Sequence, residues 1–289
     1  MRLVTFLSNG ERHIGAEGTQ GVVDFTLAAP ELPESMLDLL ADGPKALDAA
    51  RAAAARAFSE GVGVIATDQV RLLAPLPRPG KIFGIGLNYR DHAQETGNPI
   101  PEVPIVFSKA ATAVIGPGAA IEIPPASALI DYEGELAVVI GRPAKRVSRR
   151  DALQYVAGYT VMNDVTARDY QARSGHCVAK SFDTFAPMGP VLVTADEIGD
   201  PSTLDLRTIV SGQEMQHSRT SNLIFDVPAL IEYISAGVTL EPGDIITTGT
   251  PAGVGYRREP RRFLKPGDTV RIEISNIGAL ENPVISAPA

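Results

Sequence analysis

The stretch DYEGELAVVI, residues 131–140, places an acidic side chain at every second position and then continues into an unbroken apolar run. In a strand, residues two apart point to the same face, so Asp131, Glu133 and Glu135 are predicted to project together at the start of a buried strand, Leu136–Ile140. Three like charges on one face need solvent, basic partners or a cation. Carboxylate oxygens suit Mg²⁺, Mn²⁺ or Ca²⁺, so the stretch indicates either a metal site or an exposed acidic strand edge.

The chain on either side of this stretch is predicted to be rich in strands. Six further segments have the composition and length of strands: Met1–Phe6, Lys81–Leu87, Ile105–Lys109, Gly158–Met162, Asp244–Gly249 and Thr269–Ser275. Helices are predicted at Ser35–Asp42, Lys45–Glu60, Val165–Arg173 and Pro228–Ser235, with another running from a capping-box pattern at Ser148 to Val156. Because strands and helices do not alternate regularly, the pattern disfavours a doubly wound sheet and favours a β-rich α+β fold.

A proline-rich segment divides the chain. Pro75, Pro77 and Pro79, followed by Gly80, form a stiff stretch that fits neither a helix nor a central strand. The predicted elements before it are one strand and two helices, whereas those after it are mostly strands. We therefore predict a small N-terminal domain (residues 1–73), a linker (74–80) and a catalytic domain (81–289).

Composition excludes several classes of protein. The 289 residues are 44% hydrophobic, and 26 Lys and Arg against 34 Asp and Glu give a formal net charge of −8, which argues against a broad nucleic-acid surface. A single cysteine, Cys177, excludes an internal disulfide framework. No apolar run approaches the roughly 18–20 residues of a membrane helix, and Met1–Gly10 lacks the apolar core of a signal peptide. We therefore expect a cytoplasmic protein that binds neither nucleic acid nor membranes.

A second acidic position follows the predicted strand that ends near Met162. Asp164 stands where a helix is predicted to begin, and Arg168 and Gln171 follow it at i+4 and i+7, so all three are expected on one helical face. An Asp at a helix start is commonly a cap. The alternative is a carboxylate, a guanidinium and an amide that together face a metal-bound organic acid.

A third candidate lies in the segment after the strand Lys81–Leu87. His92 and Glu95 are three residues apart in a predicted short helix, so the carboxylate can orient the imidazole as a general base. A surface His–Glu pair is the plainer alternative. Gly97 and Pro99 end the helix in a loop, as expected of a base carried on a closing lid.

Three other features carry weaker signals. Lys180, taken alone, is expected to be a surface lysine. The glycine-rich loop Gly249–Gly255 lacks the Lys and Ser/Thr ending of a phosphate-binding loop, which disfavours nucleotide binding. Arg257 and Arg258 follow that loop, and they are either solvated arginines or partners of a second acidic group on a substrate.

Taken together, these segments resemble the fumarylacetoacetate hydrolase family. The matching stretches run in the family's order from residue 81 to residue 284: KIFGIGLNYRDHAQE, PIVFSKAATAVIGPG, DYEGELAVVIG, NDVTARDYQ, KSFDTFAPMGP, LIFDVPALIEYIS, LEPGDIITTGTPAGVG and FLKPGDTVRIEISNIGALENPV. The resemblance implies a mixed β-sandwich or β-roll catalytic domain, a small N-terminal α/β domain and a homodimer. It also implies a divalent cation, Mg²⁺ or Mn²⁺, with Ca²⁺ as a substitute in a crystal.

The resemblance also implies roles for individual residues. The metal carboxylates correspond to Glu133, Glu135 and Asp164. The remaining positions are a catalytic set and a substrate-binding set: His92, Glu95 and Lys180 in the first, and Arg168, Gln171 and Thr250 in the second. Asp131 is expected behind the ligands. Relatives often carry a Trp ahead of the lysine segment, whereas this chain has no Trp and has His176 and Cys177 there; Ala110 stands where a proline often follows the Phe-x-Lys pattern.

These implications predict a metal-dependent hydrolase that cleaves a C–C bond in a 2,4-diketo acid of the acylpyruvate, fumarylpyruvate or fumarylacetoacetate type. His92 is expected to deprotonate a water, and Lys180 to stabilise an oxyanion while the cation stabilises an enolate. The same site suits an oxaloacetate decarboxylase, a 2-hydroxydienoate isomerase or a keto-acid dehydratase of aromatic or sugar acid catabolism. An inactive, metal-stabilised binding protein is the alternative from another class.

Overall fold

The apolar runs of the sequence lie side by side in one long sheet of the computed structural model, which describes residues 1–288. The strands are β1 Arg2–Ser8, β2 Glu11–Gly18, β3 Gly21–Asp24, β4 Val64–Ile65, β5 Arg71–Leu72, β6 Ile82–Gly86, β7 Ile105–Lys109, β8 Val114–Ile115, β9 Ile121–Ile123, β10 Ile130–Asp131, β11 Gly134–Ile140, β12 Val156–Asn163, β13 Thr166–Ala167, β14 Ala186–Thr194, β15 Asp205–Val210, β16 Gln213–Arg219, β17 Ile245–Thr247, β18 Thr269–Ile274 and β19 Gly278–Ser286. The α-helices are α1 Phe25–Ala28, α2 Met36–Ala41, α3 Pro44–Glu60, α4 Arg90–Thr96, α5 Arg168–Ser174, α6 His176–Ala179, α7 Ala195–Ile198 and α8 Val227–Gly237. The β-rich α+β class is confirmed.

The strands form two main sheets. The larger has the order β4-β3-β2-β1-β14-β12-β11-β17-β6-β7, with β5 paired to β1 and β8 paired to β14. The smaller has the order β16-β15-β18-β19-β9 and packs on one face of the larger, and β10 and β13 form a separate pair. Among residues 1–288, no helix is long and apolar enough to cross a membrane.

Burial on both faces explains why the sequence of β11 does not alternate between polar and apolar residues. Leu136 and Val138 pack in the core shared with the smaller sheet, while Ala137 and Val139 pack in a second core on the opposite face. Every residue of β11 is buried, as expected of a strand covered on both sides. The fold is therefore three-layered around β11, with helices, the larger sheet and the smaller sheet in that order.

The N-terminal segment shares the second of these cores. Strand β1 pairs with β14 through Leu3 and Leu192, and Leu39 and Leu40 of α2 lie in the same apolar cluster as Val139 of β11. The division into domains at residues 74–80 stays a prediction. The N-terminal strands extend the larger sheet, and the N-terminal helices share an apolar core with the later strands.

The predicted helix from Ser148 to Val156 is wrong. Only Ala152–Tyr155 turns, as a short 3₁₀ helix, before β12 begins. The Ser148 hydroxyl donates to the Asp151 carboxylate at 2.8 Å instead of accepting a helix N–H. The capping-box pattern therefore closes a turn here, because the strand that follows takes over the chain.

The predicted helix Val165–Arg173 begins three residues late, at Arg168. Thr166–Ala167 pairs with Ile130–Asp131 as two antiparallel strands, and the Arg168 N–H donates to the Leu129 carbonyl. The expectation that Asp164 shares a helical face with Arg168 is therefore wrong. Pairing with a segment more than 30 residues earlier in the chain outweighs the local helical preference.

We expect Leu3→Ala to destabilise the whole chain in one step. Leu3 is fully buried between the N-terminal helices and the larger sheet, so the cavity should cost about 2–5 kcal/mol. Calorimetry should show a single transition that moves to lower temperature, while Leu27→Ala, at a side chain that is 62% exposed, should leave it in place. Two transitions, of which Leu3→Ala moves only one, would contradict a shared core.

Candidate active site

Three carboxylates meet where β11 begins and β12 ends. The two strands run antiparallel with Gly134 opposite Asn163, so the start of β11 lies beside the end of β12. This arrangement places Glu133 and Glu135 next to Asp164. One oxygen of each carboxylate lies within 4.8 Å of the other two, and all three residues are buried. This donor set has the chemistry that a hard divalent cation prefers.

Asp131 lies outside this triad, because the chain does not continue as one strand through Tyr132. Asp131 ends β10, and its carboxylate accepts hydrogen bonds from Arg168 Nε at 2.9 Å and from the backbone N–H groups of Gly255 and Tyr256 at 2.8 and 3.1 Å. The expectation that three alternating acids share one strand face is therefore wrong for Asp131. Its charge instead holds the arginine and the glycine-rich loop together.

Two lysines approach the triad. Lys180 Nζ donates to Glu133 and Asp164, both at 2.6 Å, and to Thr166 Oγ1 at 2.9 Å. Lys109 Nζ donates to the other oxygen of Asp164 at 2.6 Å and to the Lys180 carbonyl. Both lysines are buried, so the interpretation of Lys180 as a surface residue is wrong. Sequence reasoning missed Lys109, although it ends an apolar strand within a quoted motif.

The surroundings shift the pKa values of the two glutamates of the triad in opposite directions. Burial alone would raise the pKa of Glu133, but the Lys180 ammonium and the Arg168 guanidinium outweigh it and hold that pKa well below its usual range. Burial, reinforced by the charges on Asp164 and Glu133, raises the pKa of Glu135 well above its usual range. Glu135 is therefore the carboxylate that lacks a compensating cation.

The hydrogen bonds of Glu135 fit a metal ligand. Its Oε2 accepts from the Thr247 hydroxyl and from the Gly249 N–H at 2.7 Å, whereas its Oε1 has no donor among residues 1–288. A buried carboxylate with a free oxygen and a raised pKa is stabilised by a cation that lies against it. The triad thus fits a divalent ion.

Helix α4 carries the predicted base. His92 Nδ1 lies 2.8 Å from Glu95 Oε2, and Glu95 Oε1 accepts from the Gly253 N–H at 2.8 Å. Asp91 on the same helix accepts from Ser218 Oγ at 2.5 Å. With Nδ1 held by a carboxylate, the proton lies on Nδ1 and the lone pair on Nε2 is left to act as a base. The same glutamate therefore orients His92 and fastens the helix to the glycine-rich loop.

The predicted substrate-binding residues are held by interactions with the protein. Arg168 Nη2 donates to Glu133 at 2.6 Å, Nη1 donates to Gln171 Oε1 at 3.0 Å, and the guanidinium lies 4.2 Å from the centre of the Tyr256 ring. Thr250 Oγ1 donates to the Gly134 carbonyl at 3.0 Å. Their contacts with substrate stay predictions.

One cavity of about 470 Å³ connects these groups. Seven of the nine predicted site residues line it: His92, Glu133, Glu135, Arg168, Gln171, Lys180 and Thr250. Glu95 and Asp164 hold lining residues from behind. The volume suits a small organic molecule.

Sequence reasoning missed Phe107 and Tyr256, which also line the cavity. His176, which stands in the region where relatives often carry a Trp, lines the cavity too, and its ring stacks on Phe107 with centres 5.2 Å apart. Arg258 does not face the cavity, because it donates to the carbonyls of Gly253 and Met215. Of the two alternatives left open for Arg258, contact with a substrate acid therefore has no geometric support.

The chain is similar in sequence to known enzymes. A sequence model described as fumarylacetoacetate (FAA) hydrolase C-terminal matches residues 81–285. The chain is 45% identical to the oxaloacetate tautomerase Fahd2a, mitochondrial, of Rattus norvegicus, over 99% of this chain and 92% of that protein.

Solved structures of enzymes are similar to this chain over nearly its whole length. The fumarylacetoacetate hydrolase from psychrophilic Exiguobacterium antarcticum matches with a TM-score of 0.87 and 36% identity, over 99% of this chain and 100% of that one. The maleylpyruvate hydrolase from Sphingobium sp. SYK-6, in complex with manganese(II) ion and pyruvate, matches with a TM-score of 0.83 and 32% identity, over the full length of both chains. These relatives are enzymes. The resemblance drawn from the ordered motifs is confirmed, and the protein belongs to the fumarylacetoacetate hydrolase family of enzymes.

Proposed function

We propose that this protein is a divalent-metal-dependent tautomerase that interconverts the enol and keto forms of oxaloacetate. One observation carries the proposal: His92, oriented by Glu95, lines the same cavity as the carboxylates Glu133 and Glu135. A base and an anion-stabilising centre on one small cavity are what proton transfer next to a carbonyl requires. The 45% identity with the rat oxaloacetate tautomerase supports the choice of substrate.

The triad Glu133, Glu135 and Asp164 would hold the cation, and we propose Mg²⁺ or Mn²⁺. The Sphingobium maleylpyruvate hydrolase, which is solved with manganese(II), supports the second. When bound, such an ion supplies the positive charge that stabilises an enolate oxygen.

The proton transfer is assigned to His92. In the keto-to-enol direction, Nε2 takes the proton from carbon 3 of oxaloacetate and returns it to the oxygen on carbon 2. The C3–H bond breaks and an O–H bond forms, while no C–C bond is cleaved and no water is consumed. Glu95 holds Nδ1–H and stabilises the imidazolium that forms. The reverse direction uses the same groups in reverse order.

The hydrogen bonds of Lys180 favour tautomerisation over the C–C hydrolysis expected from the sequence. An ammonium has three N–H donors, and Lys180 has three acceptors on the protein, namely Glu133, Asp164 and Thr166. None is left for the oxyanion that water attack on a diketo acid would create. A tautomerase needs no such donor, so we assign Lys180 to holding the carboxylates.

Hydrolysis of a 2,4-diketo acid remains the second candidate, because a specific relative supports it. The maleylpyruvate hydrolase at 32% identity is solved with pyruvate, which is a product of C–C hydrolysis of such acids. Decarboxylation of oxaloacetate is distinguished from both by the release of CO₂. A homodimer and a cytoplasmic location stay proposals; the rat relative is named as mitochondrial.

The activity is tested with the metal-loaded protein. Added to enol-oxaloacetate, the Mn²⁺-loaded enzyme should accelerate the loss of enol absorbance, and a chelator should abolish the acceleration. His92→Asn should lower kcat by about 10²–10⁴-fold, the usual contribution of a general base. His217→Asn, at an exposed histidine outside the cavity, is the matched control. Faster release of pyruvate from acylpyruvates than turnover of enol-oxaloacetate would favour the hydrolase instead.

Metal binding is tested at Glu135. A carboxyl group whose pKa is raised in the folded protein stabilises the fold at low pH and loses that contribution as pH rises through the raised pKa. Without metal, Glu135→Gln should therefore melt roughly 2–4 °C above the wild type at pH 8, the shift that about 1 kcal/mol gives, and the difference should shrink toward pH 5.

Added Mn²⁺ should reverse that order. The wild type should gain stability through binding, whereas Glu135→Gln should not respond. Glu60→Gln, at an exposed residue of α3, serves as the control and should respond like the wild type. An equal Mn²⁺-dependent rise in both Glu135→Gln and the wild type would show that the ion binds elsewhere.

A further inference from the structure

We propose that His176 sets the substrate preference of this enzyme by donating a hydrogen bond to a second carboxylate at the far end of a short 2-keto acid. The inference rests on the proposed function, because it concerns the tail of the same substrate. It assigns a specificity role to a residue that the proton transfer does not use.

His176 reaches the cavity through a defined stack. It begins helix α6, directly after Gly175, whose φ of +77° turns the chain between α5 and α6. Its ring stacks on Phe107 at an interplanar angle of 19°, and the centre of the Phe107 ring lies 4.9 Å from Lys180 Nζ. The Phe107 ring thus contacts Lys180, beside the carboxylates, and also contacts the His176 imidazole.

The imidazole has unused hydrogen-bonding capacity. Among residues 1–288, neither ring nitrogen of His176 has a hydrogen-bond partner, although the side chain is only partly exposed and lines the cavity. Neither nitrogen is a buried polar atom without a partner, so both are accessible from the cavity or from solvent. The unpaired nitrogens therefore suit a group that arrives with the substrate.

The charged groups of the cavity cannot take a second carboxylate as easily. Lys180 has its three donors on protein acceptors, and Arg168 donates to Asp131, Glu133 and Gln171. Breaking these contacts would leave buried carboxylates without a partner, which is costly. A free N–H on a neutral imidazole makes a charge-assisted bond at no such cost.

The same imidazole discriminates against apolar tails. A methyl group placed against His176 would cover its N–H without pairing it, and an unpaired buried donor carries the full desolvation cost. A site that hydrogen-bonds one substrate rejects the analogue that lacks the partner group. Substrates that end in a carboxylate, such as oxaloacetate, are therefore preferred to acyl compounds of similar length.

The test uses two unreactive compounds that differ only at the far end. Malate and 2-hydroxybutanoate share a 2-hydroxy acid head, and the first carries a carboxylate where the second carries a methyl group. Calorimetric titration of the Mn²⁺-loaded protein gives the ratio of their affinities without any turnover. His176→Phe retains a ring to stack on Phe107 and removes both nitrogens. His176→Gln removes the ring and restores an N–H donor.

The wild type should bind malate at least tenfold more tightly than 2-hydroxybutanoate. His176→Phe should reduce that ratio about tenfold by weakening malate alone, which is the loss expected of one hydrogen bond to a charged group. His176→Gln should recover part of the ratio, and His217→Phe should leave it unchanged. For oxaloacetate turnover, His176→Phe should raise KM with little change in kcat.

Two results would overturn the assignment. One is an unchanged ratio in His176→Phe, and the other is an equal loss of affinity for both compounds, which would mark a structural role for the stack. Failure of the proposed function gives a different pattern, since the wild type would then fail to tautomerise oxaloacetate while the affinity ratio still depended on His176.

Discussion

The rest of the structure depends on how four buried carboxylates, those of Asp131, Glu133, Glu135 and Asp164, are neutralised. Burying an ionised carboxylate is costly unless a cation and hydrogen bonds accompany it. Here the cations come from three separate parts of the chain: Lys109 ends β7, Arg168 begins α5, and Lys180 follows α6. None of these segments is adjacent to β11 in sequence, so the ion pairs join the layers of the fold at the active site. Glu135 alone lacks a cation of its own, and this gap gives the site its capacity for a divalent ion.

Local patterns in the sequence predicted those parts of this arrangement that depend on local interactions. The apolar run after Glu135 predicts a buried strand, and the structure shows that β11 is buried on both faces because both cores meet on it. The helical spacing of His92 and Glu95 predicts a contact that the structure shows at 2.8 Å. The ordered family motifs led to the remaining positions, since six of the eight motifs contribute residues to the same cavity.

Interactions between distant segments account for what the sequence could not predict. Thr166–Ala167 forms a strand only because Ile130–Asp131 is there to pair with it, and that pairing removes Asp131 from the triad and delays α5. Lys109 carries no local signal, because a lysine at the end of a strand is ordinarily solvated. Its burial follows from the position of Asp164 on another strand end. Secondary-structure preference therefore predicted the strands of the core better than the residues that neutralise the site.

The glycine-rich loop couples the base to the carboxylates. Gly253 has a φ of +104°, and a Cβ there would lie 2.0 Å from the Met215 carbonyl, so only glycine fits where the loop passes. The Gly253 N–H holds Glu95, which orients His92, and two residues later the same loop binds Asp131, which holds Arg168 against Glu133. Because the Glu95 carboxylate both fastens α4 and orients the imidazole, the orientation of the base depends on the docking of that helix. Docking of α4 on the glycine-rich loop and orientation of the His92 imidazole are thus two consequences of one set of contacts.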